Sequence, residues 1–265
     1  MKRSAILIFI VFFIATISVS GGASAQAKGY EGELIGSYST SYKSSSDSRK
    51  FNVQLATEKL NNTCLDSQEE FSFNKVIGNR TEENGYRKSI VIENGEFTEG
   101  VGGGVCQVST TLYNAVIRAV LNVTECHSHS LPVSYVELGF DAMVSTYADF
   151  KFVNNTPYPI RILARADGNK LTVEIYGFNN IDDGELHAFH SQKIADVPSV
   201  EYEILNEDGI ENGVEQVVKE PVPGAVVDSY RRIFYRNKII KTERIRRTYY
   251  PPQKGKKRVV ESHDG

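Results

Sequence analysis

The chain has 265 residues, with 30 Lys and Arg against 33 Asp and Glu, a formal net charge of −3, and three cysteines. An acidic balance excludes nucleic acid as the main partner. The length, once a leader is removed, fits one large domain or two ordinary ones. Lys2 and Arg3 precede an apolar run over residues 5–19, and Ala23-Ser24-Ala25 before Gln26 has the form of a leader-peptidase site. The run falls short of the ~20 residues that span a bilayer. Residues 1–25 are therefore expected to be a signal peptide, with an uncleaved anchor as the alternative and the sole tie to a membrane. The remainder is expected in the extracytoplasmic envelope, where disulfides persist and an odd cysteine count leaves a thiol over or an intermolecular pair. Cys64 and Cys126 have unremarkable polar surroundings, so Cys106 is the odd one out.

Residues 26–49, rich in Ser, Gly and Tyr, read as a linker or a loosely held leading strand. Residues 51–60 carry a helical apolar pattern stopped by Asn61-Asn62, and 89–92 read as a buried strand closed by the turn Asn94-Gly95. Gly102-Gly103-Gly104 lead into Val105-Cys106; Val108, Leu112, Ala115, Val116 and Ala119 then form one apolar stripe of a helix reaching about Leu121. Residues 133–136 and 149–153 read as strands, and 160–166 with 171–176 as a hairpin. A linker is expected over 181–196 and a small β module over 197–252, whose main hairpin turns at Arg236-Asn237. Residues 253–265, with the basic run Lys254-Gly255-Lys256-Lys257-Arg258, are expected to be a disordered tail able to meet anionic wall polymers. The fold class is α+β: a mostly β domain over 50–180, its glycine–cysteine motif opening a central helix, followed by the small β module.

A thiol at the first turn of a helix is favoured as thiolate by unsatisfied N–H groups and the positive dipole end. Glycines before it let backbone approach a substrate closely, and backbone N–H groups can hold an acyl-transfer oxyanion. Gly103, Gly104, Gln107, Ser109 and Thr110 are the expected oxyanion and substrate contacts. The competing reading is a buried thiol after a flexible connection. The base is sought in His127-x-His129, whose alternate positions on an extended segment face one site. Asp141 and Asp149 are the acids that could orient it. A surface histidine pair, or metal ligation by Cys126, His127 and His129 with Cys106, are the competing readings; the spacing matches no familiar zinc pattern.

Gly102–Asn114 (GGGVCQVSTTLYN), with Phe71-Ser72-Phe73-Asn74, Gly78, Gly85-Tyr86, His127-Ser128-His129-Ser130, Val133-Ser134-Tyr135, Gly139-Phe140-Asp141-Ala142 and residues 149–155, resembles the VanW family over about residues 50–177. The sequence departs from the family pattern at Cys126, where an arginine is more familiar, and at Gln68-Glu69-Glu70, where a Pro-Gly pair is usual. The resemblance implies an L,D-transpeptidase that uses Cys106 to cross-link peptidoglycan, with stem peptides as partners and no cofactor. Tyr135 and Asp149, inside the shared motifs, join the expected substrate contacts. The C-terminal module, through Gly224 and Lys219-Glu220-Pro221, resembles the glycine-signature (G5-like) β domains that accompany VanW domains and bind wall glycan. Two alternatives remain: a non-catalytic envelope-binding or glycopeptide-resistance accessory, and a redox or metal protein with a Cys106–Cys126 disulfide or bound zinc.

Overall fold

The computed structural model describes residues 32–93, 95–178, 181, 184–205 and 213–261. The expected signal peptide, Asn94 of the expected turn and the last four residues of the expected tail lie outside them. Among the described residues the protein is mostly β with few helices, an α+β arrangement. No described helix is long and apolar enough to cross a membrane.

The first sheet is built from β1 (Glu33–Ser41), β2 (Thr63–Leu65), β8 (Ile160–Ala166) and β9 (Lys170–Gly177), in the antiparallel order β1-β9-β8-β2. Strict alternation drives it: Ile160, Ile162, Ala164, Leu171, Val173 and Ile175 are buried on one face. The turn between β8 and β9 is held by Asp167, whose carboxylate accepts from the backbone N–H of Asn169 and Lys170 at 2.8 and 2.7 Å. Helices α1 (Asp47–Leu60) and α3 (Val105–Arg118) cover the buried face. The expected linker over 26–49 is thus corrected: from Glu33 the chain pairs with β9, and Ile35, Thr40 and Tyr42 are buried. Tyr, Ser and Thr make an acceptable edge strand without the aliphatic pattern that announces one. Helix α1 likewise begins at Asp47, ahead of the expected Phe51, because the Ser46 hydroxyl accepts from the Arg49 N–H.

A second small sheet, β3 (Glu70–Ser72), β7 (Lys151–Val153) and β6 (Asn122–Glu125), follows the short helix α2 (Phe73–Ile77) in space and packs through aromatic rings. Phe71 stacks on Phe152 at 4.9 Å, and Phe150 meets Tyr113 of α3 edge-on at 5.7 Å. The expected buried strand at 89–92 is instead half of a two-stranded hairpin, β4 (Lys88–Glu93) with β5 (Glu96–Val101). No further strand pairs with it among the described residues, and Ile90 and Phe97 are 54% and 66% exposed. Residues 133–136 form turns and bends rather than a strand.

The C-terminal part holds two more sheets. β10 (Glu185–Val197), β13 (Gly224–Tyr235) and β14 (Lys238–Tyr250) run in the order β10-β13-β14. The β13–β14 turn puts Arg236 and Asn237 at φ 49° and 63°, the left-handed pair a two-residue hairpin needs. β11 (Tyr202–Leu205), β12 (Gly213–Lys219) and β15 (Gly255–Glu261) form the other sheet, β15 lying between its neighbours. Two expectations fall here. The linker placed over 181–196 is mostly β10, and the disordered tail over 253–265 contains β15. In both, charged residues occupy strand positions; along edges and half-open faces such charges are tolerated and mask the strand pattern.

The C-terminal sheets belong to the same compact unit as the rest of the described chain. The Arg118 guanidinium sits over Tyr38 of β1 at 4.3 Å and Phe189 of β10 at 4.8 Å. Glu137 accepts from the backbone N–H and hydroxyl of Ser191 at 3.0 and 2.7 Å. Gly139, at φ +84°, presses against β13 so closely that a β-carbon would lie 2.4 Å from the Ser229 hydroxyl. Gly139→Ala is therefore expected to destabilise the protein by about 1–3 kcal/mol through left-handed strain and this clash, read as a lowered thermal midpoint. An unchanged midpoint would contradict the close approach.

Candidate functional site: a cysteine, histidine and aspartate in series

Cys106 is the second residue of α3, whose N-cap is Gly104 in a left-handed conformation at φ +113°. The glycine run is close-packed, which makes it a structural requirement more than a flexible connection. A β-carbon on Gly103 would stand 2.5 Å from the Ile90 carbonyl oxygen, and one on Gly104 would meet Val53 and the Arg49 stem at 3.0 and 3.1 Å. The thiol so placed donates to the Val144 carbonyl at 3.3 Å and lines an open cleft of about 2020 Å³. The three cysteines are unpaired, so no Cys106–Cys126 disulfide is present.

His129 lies beside the thiol, near enough for each to shift the other's ionisation. Its Nδ1 is engaged by Asp141 Oδ2 at 2.8 Å, which leaves Nε2 for the sulfur; the same oxygen accepts the His129 backbone N–H at 2.7 Å. His129 is 5% exposed and Asp141 1%. Burial pushes the Cys106 thiol up, but the hydrogen bond and positive charge of His129 overcome it and hold the thiol below its ordinary range. Burial disfavours charge on His129 too, yet the Asp141 hydrogen bond and the Cys106 sulfur raise it to about 9. Each group thus favours the charged form of the other. By linkage, the raised imidazole contributes stability below its ordinary pKa and loses it as pH rises through about 9, while the thiolate's share is lost as pH falls through the lowered value for Cys106. In His129→Gln the burial effect is opposed only by the Val144 carbonyl contact and the Arg80 charge, the smaller influences on the thiol. The rate of Cys106 alkylation by iodoacetamide at neutral pH is expected to fall at least about tenfold, its pH profile moving upward. A profile unmoved by the substitution would show that the imidazole does not hold the thiolate.

The aspartate reaches its partners because the C-terminal sheet closes over it. Tyr250, at the end of β14, donates to Asp141 Oδ1 at 2.7 Å and accepts the Gly139 N–H at 2.8 Å. Arg246, also on β14, donates to the carbonyls of Gly139 and Asp141 at 2.8 Å each, to Asp141 Oδ1 at 3.4 Å and to the Cys126 sulfur at 2.8 Å. Burial works against the Asp141 anion, but its bonds with His129 and the neighbouring charges keep its carboxyl below the usual range. Cys126, far from lying in unremarkable surroundings, is pushed up to about 11 by burial despite Arg246.

The other expected site residues divide. His127 pairs with Glu125 at 2.9 Å and does not line the cleft, so the two histidines do not face one site. Asp149 caps α2, accepting from the Ser72 hydroxyl at 2.6 Å and the Asn74 N–H at 2.9 Å. Ser109 and Thr110 are fully buried and staple residue 142 to α3: Ser109 donates to the Ala142 carbonyl at 2.6 Å, and Thr110 accepts its N–H at 3.0 Å. Gln107 donates to Thr40 and to the Ser41 carbonyl, and accepts from Arg49 at 3.1 Å. These hydrogen bonds give all four side chains a part in the scaffold, as buried polar atoms require; Gln107 alone of the four also lines the cleft. Tyr135 does line the cleft, and burial and the neighbouring Cys106 sulfur raise its hydroxyl well above its ordinary value, so it stays protonated. Among the described residues no group of three or more His, Cys, Asp or Glu converges on a metal position.

Fold and site together define a protein with a buried Cys-His-Asp series on an α+β scaffold, opening into a broad cleft. Residues 48–176, just under half of the chain, match the family described as VanW like protein. The "Uncharacterized protein YoaR" of Bacillus subtilis is 42% identical over 151 residues, covering 57% of this chain and 50% of the relative. The "Vancomycin B-type resistance protein VanW" of Enterococcus faecalis is 26% identical over 136 residues, 49% of this chain and 50% of the relative. The chain thus spans about half the length of the curated relatives it matches. Two solved structures, "HP0197-G5" and "IgA1 Protease G5 domain", are 16% and 14% identical over 28% and 29% of this chain and 95% and 94% of theirs. Their TM-scores of 0.18 and 0.21 are too low to assign the C-terminal sheets a fold.

Proposed function

We propose that this protein is a cell-envelope acyltransferase of the L,D-transpeptidase type, acting on peptidoglycan stem peptides outside the cytoplasmic membrane. The observation that carries the reading is the Cys106–His129–Asp141 series at the base of an open cleft. The Cys106 thiolate attacks the carbonyl between the third stem residue and the terminal D-alanine. A sulfur–carbon bond forms and the carbon–nitrogen bond breaks; the D-alanine amine leaves with the proton His129 carries. An acceptor amine from a neighbouring stem then attacks the thioester, gives its proton back to His129 and releases the thiolate. Tyr135, held protonated at the cleft wall, is the side chain we assign to the developing oxyanion. Wall glycan and anionic wall polymers are partners we assign to the charged C-terminal sheets.

Similarity to a vancomycin-resistance protein of Enterococcus faecalis favours a second reading, a non-catalytic accessory of glycopeptide resistance that binds stem peptides in the same cleft. Intact-mass analysis of the protein after incubation with a disaccharide-tetrapeptide separates the two. The enzyme reading expects an adduct equal to the substrate less one alanine, absent in Cys106→Ala. No adduct on the native chain, or an adduct that persists in Cys106→Ala, overturns it.

A further inference from the structure

We infer that Arg49 and Arg80 form a carboxylate-binding subsite beside Cys106, which selects an acyl donor whose leaving residue ends in a free carboxylate. The inference rests on the acyl-transfer reading for its meaning but is testable without it. Three observations carry it.

Both arginine stems lie on the turn that delivers the thiol. A β-carbon on Gly102 would stand 3.0 Å from the Arg80 β-carbon, and one on Gly104 3.1 Å from the Arg49 γ-carbon. Both side chains line the cleft with Cys106.

Their guanidiniums are anchored by neutral groups alone. Arg49 donates to the Gln107 side-chain oxygen at 3.1 Å, and its guanidinium lies 6.0 Å from the centre of the Tyr135 ring. Arg80 donates to the Asn74 side-chain oxygen at 2.7 Å. Neither makes an ion pair among the described residues. Gln107 is itself fixed by Thr40 and Ser41, and Asn74 by the carbonyls of Ser145 and Ala148. The two cations are thus positioned by residues that orient them without neutralising them, and each retains further N–H donors in the planar fork that suits a carboxylate.

Of the three lysines that also line the cleft, two are matched by carboxylates, while Lys219 donates to the Gln253 side-chain oxygen at 3.2 Å. Lys256 pairs with Glu96 at 2.5 Å and Lys254 with Glu201 at 2.7 Å. Arg49 and Arg80 thus place two positive charges without ion-pair partners among the described residues on the cleft wall that carries the thiol. Their complement is an anion close to the scissile bond. In a peptide whose last residue departs as the amine, the α-carboxylate is one carbon from the leaving nitrogen, so it is the anion that must lie near the attacking sulfur.

The subsite makes a free carboxyl terminus the mark of a donor, and an internal peptide bond, lacking it, a poor one. Calorimetry on the Cys106→Ala protein, which cannot react, compares a tetrapeptide stem bearing a terminal carboxylate with the same peptide as its carboxamide. The acid is expected to bind about 10- to 100-fold more tightly, the scale of charge-assisted hydrogen bonds. That advantage should vanish in Cys106→Ala/Arg80→Gln, shrink in Cys106→Ala/Arg49→Gln, and return in part with Arg80→Lys. Equal affinity for the two peptides, or no binding of either, overturns the subsite without use of any variant at the arginines. Formation of the Cys106 adduct is read separately, so the acyl-transfer reading stands or falls on its own result.

Discussion

Asp141→Asn is expected to lower acylation of Cys106 by about 10²–10⁴-fold while leaving the cleft open. In a serine triad the same exchange of carboxylate for amide lowers turnover about 10⁴-fold by leaving the imidazole in the wrong tautomer. Here the loss acts through the thiolate as well. Asp141 Oδ2 accepts both the His129 backbone N–H and Nδ1, and an amide in its place either turns an NH₂ toward these donors or keeps only a neutral acceptor. The imidazole, raised to about 9 by its partners, drops as its largest supporting bond disappears. Cys106 then rises with it, since burial opposes its ionisation. Breaking a buried charged cluster by one partner also destabilises the fold by about 3–5 kcal/mol. The measurements are the pH dependence of single-turnover acylation and the denaturant midpoint. An Asp141→Asn protein that acylates at the native rate and pH optimum would remove Asp141 from the mechanism.

Arg246→Ala tests the contribution of the C-terminal sheet to the same site, and its effect is expected to be of similar size on stability. One guanidinium serves two carbonyls, one carboxylate oxygen and one sulfur in a nearly water-free position. Its removal leaves the Gly139 carbonyl with the Ser229 hydroxyl and the Asp141 carbonyl with the Cys126 thiol, and costs about 1.5–3 kcal/mol for each charge-assisted hydrogen bond lost. Asp141 loses a neighbouring positive charge, so its carboxyl rises and the His129 imidazole falls. We expect a thermal midpoint lowered by several degrees and a Cys106 alkylation profile displaced upward, the second effect distinguishing a positioning role from simple loss of packing. Tyr250→Phe should give a weaker version of both changes, because it removes one hydrogen bond to Asp141 Oδ1 and the acceptor of the Gly139 N–H. Midpoint loss with an unmoved alkylation profile in both variants would confine β14 to a structural role.

This coupling bears on how the two halves of the chain relate. A sequence read as a mostly β domain followed by a β module invites the picture of a catalytic unit tethered to a separate wall-binding unit. Instead Arg118, lodged over rings from both halves, and Gly139, pressed against β13, place the module's last long strand over the buried aspartate. The Cys126 sulfur receives the guanidinium of Arg246.

Local information was enough for what depends on neighbours in the chain. The apolar stripe after Cys106 specifies a helix, the glycines before it specify where the helix begins, and the Asp167 turn specifies the β8–β9 hairpin, because each of these is settled within a dozen residues by periodicity and backbone sterics. The similarity of residues 48–176 to the VanW family was legible for the same reason, its motifs being short and in order. Local information did not separate His129 from His127 or Asp141 from Asp149, since alternation along an extended segment holds only if that segment is a strand, and 127–141 is mostly turns. Nor did it mark Ser109, Thr110 and Gln107 as scaffold, because a hydroxyl or amide is equally suited to bind substrate or to satisfy a buried carbonyl. Arg246 and Tyr250 stand over 100 residues beyond Asp141, on a strand whose alternation of Tyr, Ile and Arg reveals its geometry but not its destination. Only the folded chain could make that choice: buried charge must find a partner wherever packing supplies one, and packing is a property of the whole molecule.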